Sequence, residues 1–148
     1  MPEKKTLKQA RRAKRQGKSP STQAGAFVHE EIEHVREGKH GARSAKQAIA
    51  IGLAKARRAG VKLPPPPASA SERTKRSAKS ASSRRHSRPS PARSRGARKA
   101  LEDDPKTSAS TAALSRQATA AAKRRSPASR RASAKKAART RARTAKKR

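Results

Sequence analysis

The large apolar residues of this chain are concentrated in one stretch. Phe27, Val28, Ile32, Val35, Ile49, Ile51, Leu53, Val61 and Leu63 all fall between residues 19 and 63, whereas residues 64–148 hold only Leu101 and Leu114. Within the middle block the pattern predicts two helices. The first, about 20–37, begins at Ser19-Pro20, a capping serine followed by a proline at the first helical position, where its missing N–H costs nothing. Ala24, Phe27, Val28, Ile32 and Val35 follow the i, i+3, i+4 spacing of a single stripe, and Gly38 is placed to end it. The second, about 45–59, has Ser44 and Gln47 at capping-box spacing, each side chain serving a backbone N–H of the other. Its stripe is Ala45, Ala48, Ile49, Gly52, Leu53 and Ala56; Gly60 supplies a left-handed end, Val61 folds back over Ala56, and Pro64 forbids continuation.

Joined by the short loop Lys39–Arg43, the two helices should pack as an antiparallel hairpin. Some 45 residues with so few large side chains lie near the lower limit for independent folding, so the hairpin is expected to be marginal alone. A homodimer or an unknown protein partner bound through the hairpin would add stability. Ile51, about 120° from the stripe centre at 100° per residue, is either such a contact or a lone exposed apolar residue.

The fold class expected from this pattern is a mostly disordered chain with a short all-α segment. Residues 1–18 form a basic N-terminal arm, 19–63 the helical hairpin, 64–67 a polyproline spacer, and 68–148 a disordered low-complexity tail rich in Lys, Arg, Ala and Ser. Alanine and arginine allow transient helix, particularly from Ser133 onward, but no apolar stripe is present to hold it, and only the middle block is expected to bury anything. Glu102-Asp103-Asp104 before Pro105 reads as a local turn with no function.

Charge then changes the picture. The chain has 148 residues, 42 Lys and Arg against 9 Asp and Glu, and a net charge of +33. Such self-repulsion calls for a polyanionic partner. The two arms carry 29 of those 33 charges. With one Phe and neither Trp nor Tyr, no large core is available. The absence of cysteine excludes disulfides, thiolate zinc sites and cysteine nucleophiles. The longest apolar run, AIAIGLA at 48–54, is far short of the roughly 20 residues that cross a bilayer. The N-terminus is basic with no apolar segment behind it, unlike a secretory signal. A soluble protein of the cytoplasm and nucleoid, with no membrane partner, is expected.

Candidate catalytic chemistry is sparse. His29 and His34 are five apart, about 140° around a helix, so they do not share an ion. Glu30 and His34 at i, i+4 supply two ligands, too few for a good site, and no metal or cofactor is expected. Glu30, Glu33 and Glu37 read as a solvated helix face balancing nearby arginines. The chain has no glycine-rich phosphate loop and no nucleophile with a positioned base, and no enzyme is expected.

Basic residues have a direct mechanism: each Lys or Arg that meets a phosphate releases condensed counterions, so affinity follows the number of contacts. On the second helix, Lys46, Arg57 and Arg58 flank a back face of Gln47, Ala50 and Ala54 that would let a phosphate backbone approach; helix propensity and the helix dipole explain the same residues equally well. In the tail the candidates are the clusters Arg84 and Arg85; Lys123, Arg124 and Arg125; Arg130 and Arg131; Lys135 and Lys136; Arg139, Arg141 and Arg143; and Lys146, Lys147 and Arg148. They act collectively, follow phosphates and do not read base edges. The shortage of aromatics disfavours stacking on unpaired bases, so double-stranded DNA is expected over RNA. The RRAS at 130–133 and the SP pairs could accept phosphate, which would weaken polyanion binding, although an Arg/Ser-rich tail contains such patterns by chance.

The tail, with KRRSPASRRASAKKAARTRARTAKKR, resembles in composition the C-terminal tails of linker histones and of bacterial histone H1-like nucleoid proteins. The middle, with KQAIAIGL followed by an ARRAG helix end, resembles a family of small basic bacterial proteins that forms a domain of unknown function, sometimes labelled DNA-binding. The resemblance implies a bacterial cytoplasmic protein and no established catalytic role. The expected function is non-catalytic, largely sequence-independent DNA binding that neutralises and bridges or condenses DNA. The alternatives are an RNA- or ribosome-associated protein, or a partner-binding hairpin delivered to nucleic acid by its tails.

Overall fold

Among the described residues seven helices follow one another: α1 (Lys4–Arg15), α2 (Pro20–Arg36), α3 (Ala45–Arg58), α4 (Glu72–Ser82), α5 (Pro91–Glu102), α6 (Thr111–Lys123) and α7 (Pro127–Ala145), with a 3-10 turn at Lys106–Ala109. The computed structural model describes residues 2–83 and 90–145, and among these there is no strand. The chain divides into two units, Met1–Ala113 and Leu114–Arg148.

The expectation of a mostly disordered chain is overturned. Four helices, α4 to α7, lie where a disordered tail was anticipated. Their origin is local. Ser71, Ser110 and Ser126 each accept a hydrogen bond from the amide three residues on, at 3.2 Å, capping α4, α6 and α7. Pro91 and Pro127 occupy first positions of α5 and α7, where proline is tolerated. Between these starts the residues are mostly Ala, Arg, Lys and Ser, and the first three are strong helix formers.

In the first unit α2 and α3 form an antiparallel pair. Ser19 Oγ caps α2 at the Thr22 amide (3.4 Å) and Ser44 Oγ caps α3 at the Gln47 amide (3.2 Å). The Gln47 side chain reaches the Arg43 amide (3.1 Å), one residue beyond a standard capping box. At the end of α3 Gly60 takes φ +85°, and the Val61 amide donates to the Ala56 carbonyl at 3.0 Å, as a left-handed C-terminus requires.

The core has two clusters. Ala10, Ala24, Phe27, Ala56 and Val61 form one, with Leu7, Leu53 and Leu63 against it; Val35, Ala42, Ala48 and Ala109 form the other, with Ile32 against it. Burial is thus not confined to the middle block, because α1 supplies Ala10, α4, which packs on α3, supplies Ala81, and the 3-10 turn supplies Ala109. The Glu102–Asp104 patch is also more than a turn. Gly41 and Ala42 donate backbone hydrogen bonds to Leu101 (2.6 Å) and Pro105 (3.2 Å), while Asp104 accepts from Arg43 (3.3 Å) and Gln47 (3.3 Å). This acceptor lies at the N-terminal end of α3, where the helix dipole favours negative charge.

Gly52 sets how closely α2 and α3 approach. A Cβ there would lie 2.7 Å from the Val28 Cα and 3.0 Å from the Phe27 carbonyl oxygen, both backbone atoms that yield only if a helix moves. Gly52→Ala is expected to lower stability by about 1–2 kcal/mol, overpacking outweighing the gain in helix propensity. Gly25→Ala, also inside α2 but with nothing within 4 Å of its Cβ, should instead add about 0.5–1 kcal/mol. Chemical denaturation of the two variants side by side checks the opposite signs.

Candidate nucleic-acid interface

Helix α1 is two-sided. At 100° per residue Lys4, Lys8, Arg11, Arg12 and Arg15 fall within an arc of roughly 100°, while Thr6, Ala10 and Ala13 lie on the other side. Thr6 and Ala10 are buried against α2, and the five basic residues are exposed. Among the described residues none of those five pairs with a carboxylate. The result is a basic ridge about 18 Å long, held in register by a packed face. Sequence reasoning missed it. The signal was Thr6, Leu7, Ala10 and Ala13, a packing face with one large apolar side chain among small ones, easily passed over in so basic a segment.

The acids are placed the opposite way. Seven of the nine carboxylates, Glu3, Glu30, Glu31, Glu33, Glu37, Glu72 and Asp104, stand within 4.0 Å of a basic group among the described residues. Glu30, Glu33 and Glu37 are not the uniformly solvated face expected of them. Glu30 is buried, because α1 covers it: its Oε2 accepts the Glu3 amide at 3.2 Å and its Oε1 lies 3.8 Å from Lys55 Nζ. Glu33 pairs with Arg36 at 2.9 Å and Glu37 with Lys39 at 2.8 Å. The deepest is Glu31, fully buried on α2, with Lys55 Nζ 2.5 Å from Oε2 and His40 Nε2 3.2 Å from Oε1. At the rim, the His34 ring and then Lys39 hold the exposed Glu3 carboxyl below its ordinary range, and the Glu37 carboxylate holds the Lys39 ammonium above its own. Two of the acids, Glu30 and Glu31, are thus held inside and the others mostly pair with surface cations, whereas the basic residues of the α1 ridge stand without a carboxylate partner among the described residues.

The anticipated basic residues are placed as follows. Lys46 and Arg58 are exposed on α3; Arg57 is half-buried and donates to the Pro64 carbonyl at 2.9 Å, tying the proline run back to its own helix. The back face between them is not a plain small-residue platform, since Gln47 is bonded into the Asp104 contact at one end of it. In the second unit Lys123, Arg124, Arg125, Arg130, Arg131, Lys135, Lys136, Arg139, Arg141 and Arg143 are all exposed. The last seven belong to α7 and wrap about 240° of a helix roughly 28 Å long. Arg125 turns back on the start of α7, donating to the Ser129 carbonyl (3.3 Å) and to the Ser129 and Ser133 hydroxyls. Arg84, Arg85, Lys146, Lys147 and Arg148 lie outside the described residues, as does His86.

The described residues thus define a strongly basic helical protein with separate cationic helices in its two units. Residues 3–66 match the model of a family of unknown function (DUF6496), a stretch that contains α1, α2 and α3 and ends within the proline run. No curated protein and no solved structure matches the chain. No helix among the described residues is long and apolar enough to cross a membrane.

Proposed function

We propose that this protein is a non-catalytic, nucleoid-associated DNA-binding protein that neutralises phosphate through the α1 ridge and through α7, and bridges duplex segments because the two elements belong to different units. The observation that carries this reading is the charge of residues 114–148, which hold 14 basic residues and no acid. Every described basic side chain among them is exposed. A second feature favours duplex over single strands. Phe27, the only residue among Phe, Trp and Tyr, is fully buried, which leaves no such ring at the surface on which an unpaired base could stack. Nothing in a helix whose cations spread over about 240° aims a side chain at one base edge, so recognition is of the phosphate backbone.

The test is binding of the full chain to two mixed-sequence duplexes and to a single-stranded RNA of equal length across a salt series. Log affinity should fall against log salt with a slope steeper than about −6, equally for both duplexes, and the RNA should bind more weakly at matched salt. A shallow slope, a strong preference for one duplex, or tighter binding to the RNA would each refute the assignment.

A further inference from the structure

Charge neutralisation leaves one cluster of the first unit unused. Glu31 and His34 on α2 and His40 in the α2–α3 loop each offer a ligand atom, and these atoms lie within 4.8 Å of one another. From the structure we infer a binding site for one divalent transition-metal ion of the zinc class, held by Glu31 Oε1 and the two imidazoles.

The placement of the ring nitrogens supports it. A neutral His40 that donates its Nδ1–H to the Gly41 carbonyl (3.0 Å) carries its lone pair on Nε2, the atom 3.2 Å from Glu31 Oε1. Two lone pairs then face each other, which is repulsive unless a cation lies between them. A proton on Nε2, which makes an ion pair with Glu31, and a shared metal ion each supply that cation, and the 3.2 Å separation fits both. With bonds of about 2.1 Å the donor–donor edge of a tetrahedral site is roughly 3.4 Å, near the 3.2 Å between His40 Nε2 and Glu31 Oε1.

His34 is prepared in the same manner. Its Nε2 meets Glu3 Oε1 at 3.0 Å, so a neutral ring donating there has its lone pair on Nδ1. A carboxylate behind one imidazole and a carbonyl behind the other is the outer-shell arrangement that fixes ligand tautomers at metal centres. The two rings meet edge to face with centroids 6.1 Å apart, so neither stacks over the other's nitrogens. Lys55 does not stand in the ion's place, because its Nζ lies 2.5 Å from Oε2, the other oxygen of the carboxylate. Two nitrogens and one carboxylate oxygen suit zinc, cobalt or nickel better than magnesium or calcium, and three protein ligands leave a position for water. Reading His29, His34 and Glu30 along one helix missed this site because its third ligand arrives from the loop.

The experiment is a titration of the metal-free full chain with Zn2+ alone by calorimetry, with Co2+ as a spectroscopic probe. One ion per chain with Kd at or below about 10 µM, and Co2+ absorption bands of a four-coordinate centre, are expected. His40→Gln and His34→Gln should each weaken binding by more than the roughly 10- to 100-fold that loss of an outer-shell partner costs, and Glu3→Gln should fall within that range. His29→Gln, exposed on α2 and outside the cluster, should bind as the parent does. Circular dichroism confirms that each variant is folded. Absence of one-to-one binding, or unchanged affinity in folded His40→Gln, overturns the site.

Discussion

Lys55→Met is expected to lower the stability of the first unit by about 3 kcal/mol, seen as a fall in its melting temperature of more than about 10 °C. Lys55 Nζ stands 2.5 Å from Glu31 Oε2, and the Glu31 side chain is 1% exposed. Removing the ammonium leaves a buried carboxylate beside His40 alone, and an uncompensated buried charge costs far more than an intact pair contributes. The figure is taken at the lower end because the Lys55 side chain keeps 19% exposure and water can partly replace it. Glu31→Gln should cost less, since Lys55 retains Glu30 at 3.8 Å. The double variant Glu31→Leu with Lys55→Met should recover most of the loss, because two apolar groups replace two charges at once. A double-mutant cycle by thermal melting reads the coupling directly, and a Lys55→Met variant within about 0.5 kcal/mol of the parent would show that the pair is not a structural element.

That buried pair also illustrates what could be read without coordinates. The α2–α3 hairpin was legible because its signals are local: Ser19-Pro20, Ser44, Gly38 and Gly60 mark helix ends, and Phe27, Ile32 and Val35 mark a face. The pairing of Glu31 with Lys55 was not, since it joins residues 24 apart on two helices, and a glutamate in a helix pattern reads as solvent-facing until something covers it. The helices of the C-terminal part were missed for another reason. Disorder was inferred from the lack of an apolar stripe, but helix formation there rests on propensity and caps, and for α4 also on packing against α3 through the buried Ala81. The Ser-Pro rule applied at Ser19-Pro20 recurs at Ser90-Pro91 and Ser126-Pro127, each immediately before or at a helix start. Read consistently, it would have located α5 and α7. The α1 ridge was hidden because its packing face has a single large apolar residue, Leu7, beside Thr6 and Ala10, which add little apolar area yet permit close approach to α2. For the metal cluster, Glu31 and His34 were separated from His40 by a helix end, and spacing along a single helix cannot bring them together.

Replacing the seven basic residues of α7, Arg130, Arg131, Lys135, Lys136, Arg139, Arg141 and Arg143, by Gln should flatten the salt dependence of duplex binding more than any other change of equal size. If all seven meet phosphates, the magnitude of the log–log slope falls by about 6, which corresponds to between three and four decades of affinity over a fourfold change in salt. Glutamine keeps helix propensity close to that of arginine and lysine, so the loss is one of charge and not of helix. Indeed α7 should become more helical in the absence of DNA. Arg131, Lys135, Arg139 and Arg143 stand at successive i, i+4 positions, and each like-charge pair costs roughly 0.2–0.5 kcal/mol. For the parent, helicity by circular dichroism should therefore rise when duplex is added, as phosphates relieve that repulsion. The companion variant removes the α1 ridge with Lys4, Lys8, Arg11, Arg12 and Arg15 to Gln, and its slope should fall by between four and five. The two elements lie in different units, so bridging separates them from simple affinity. Each variant should still bind one duplex at low salt but fail to hold two differently labelled duplexes together. Co-capture that survives in both variants would mean that the two helices are not the two ends of a bridge.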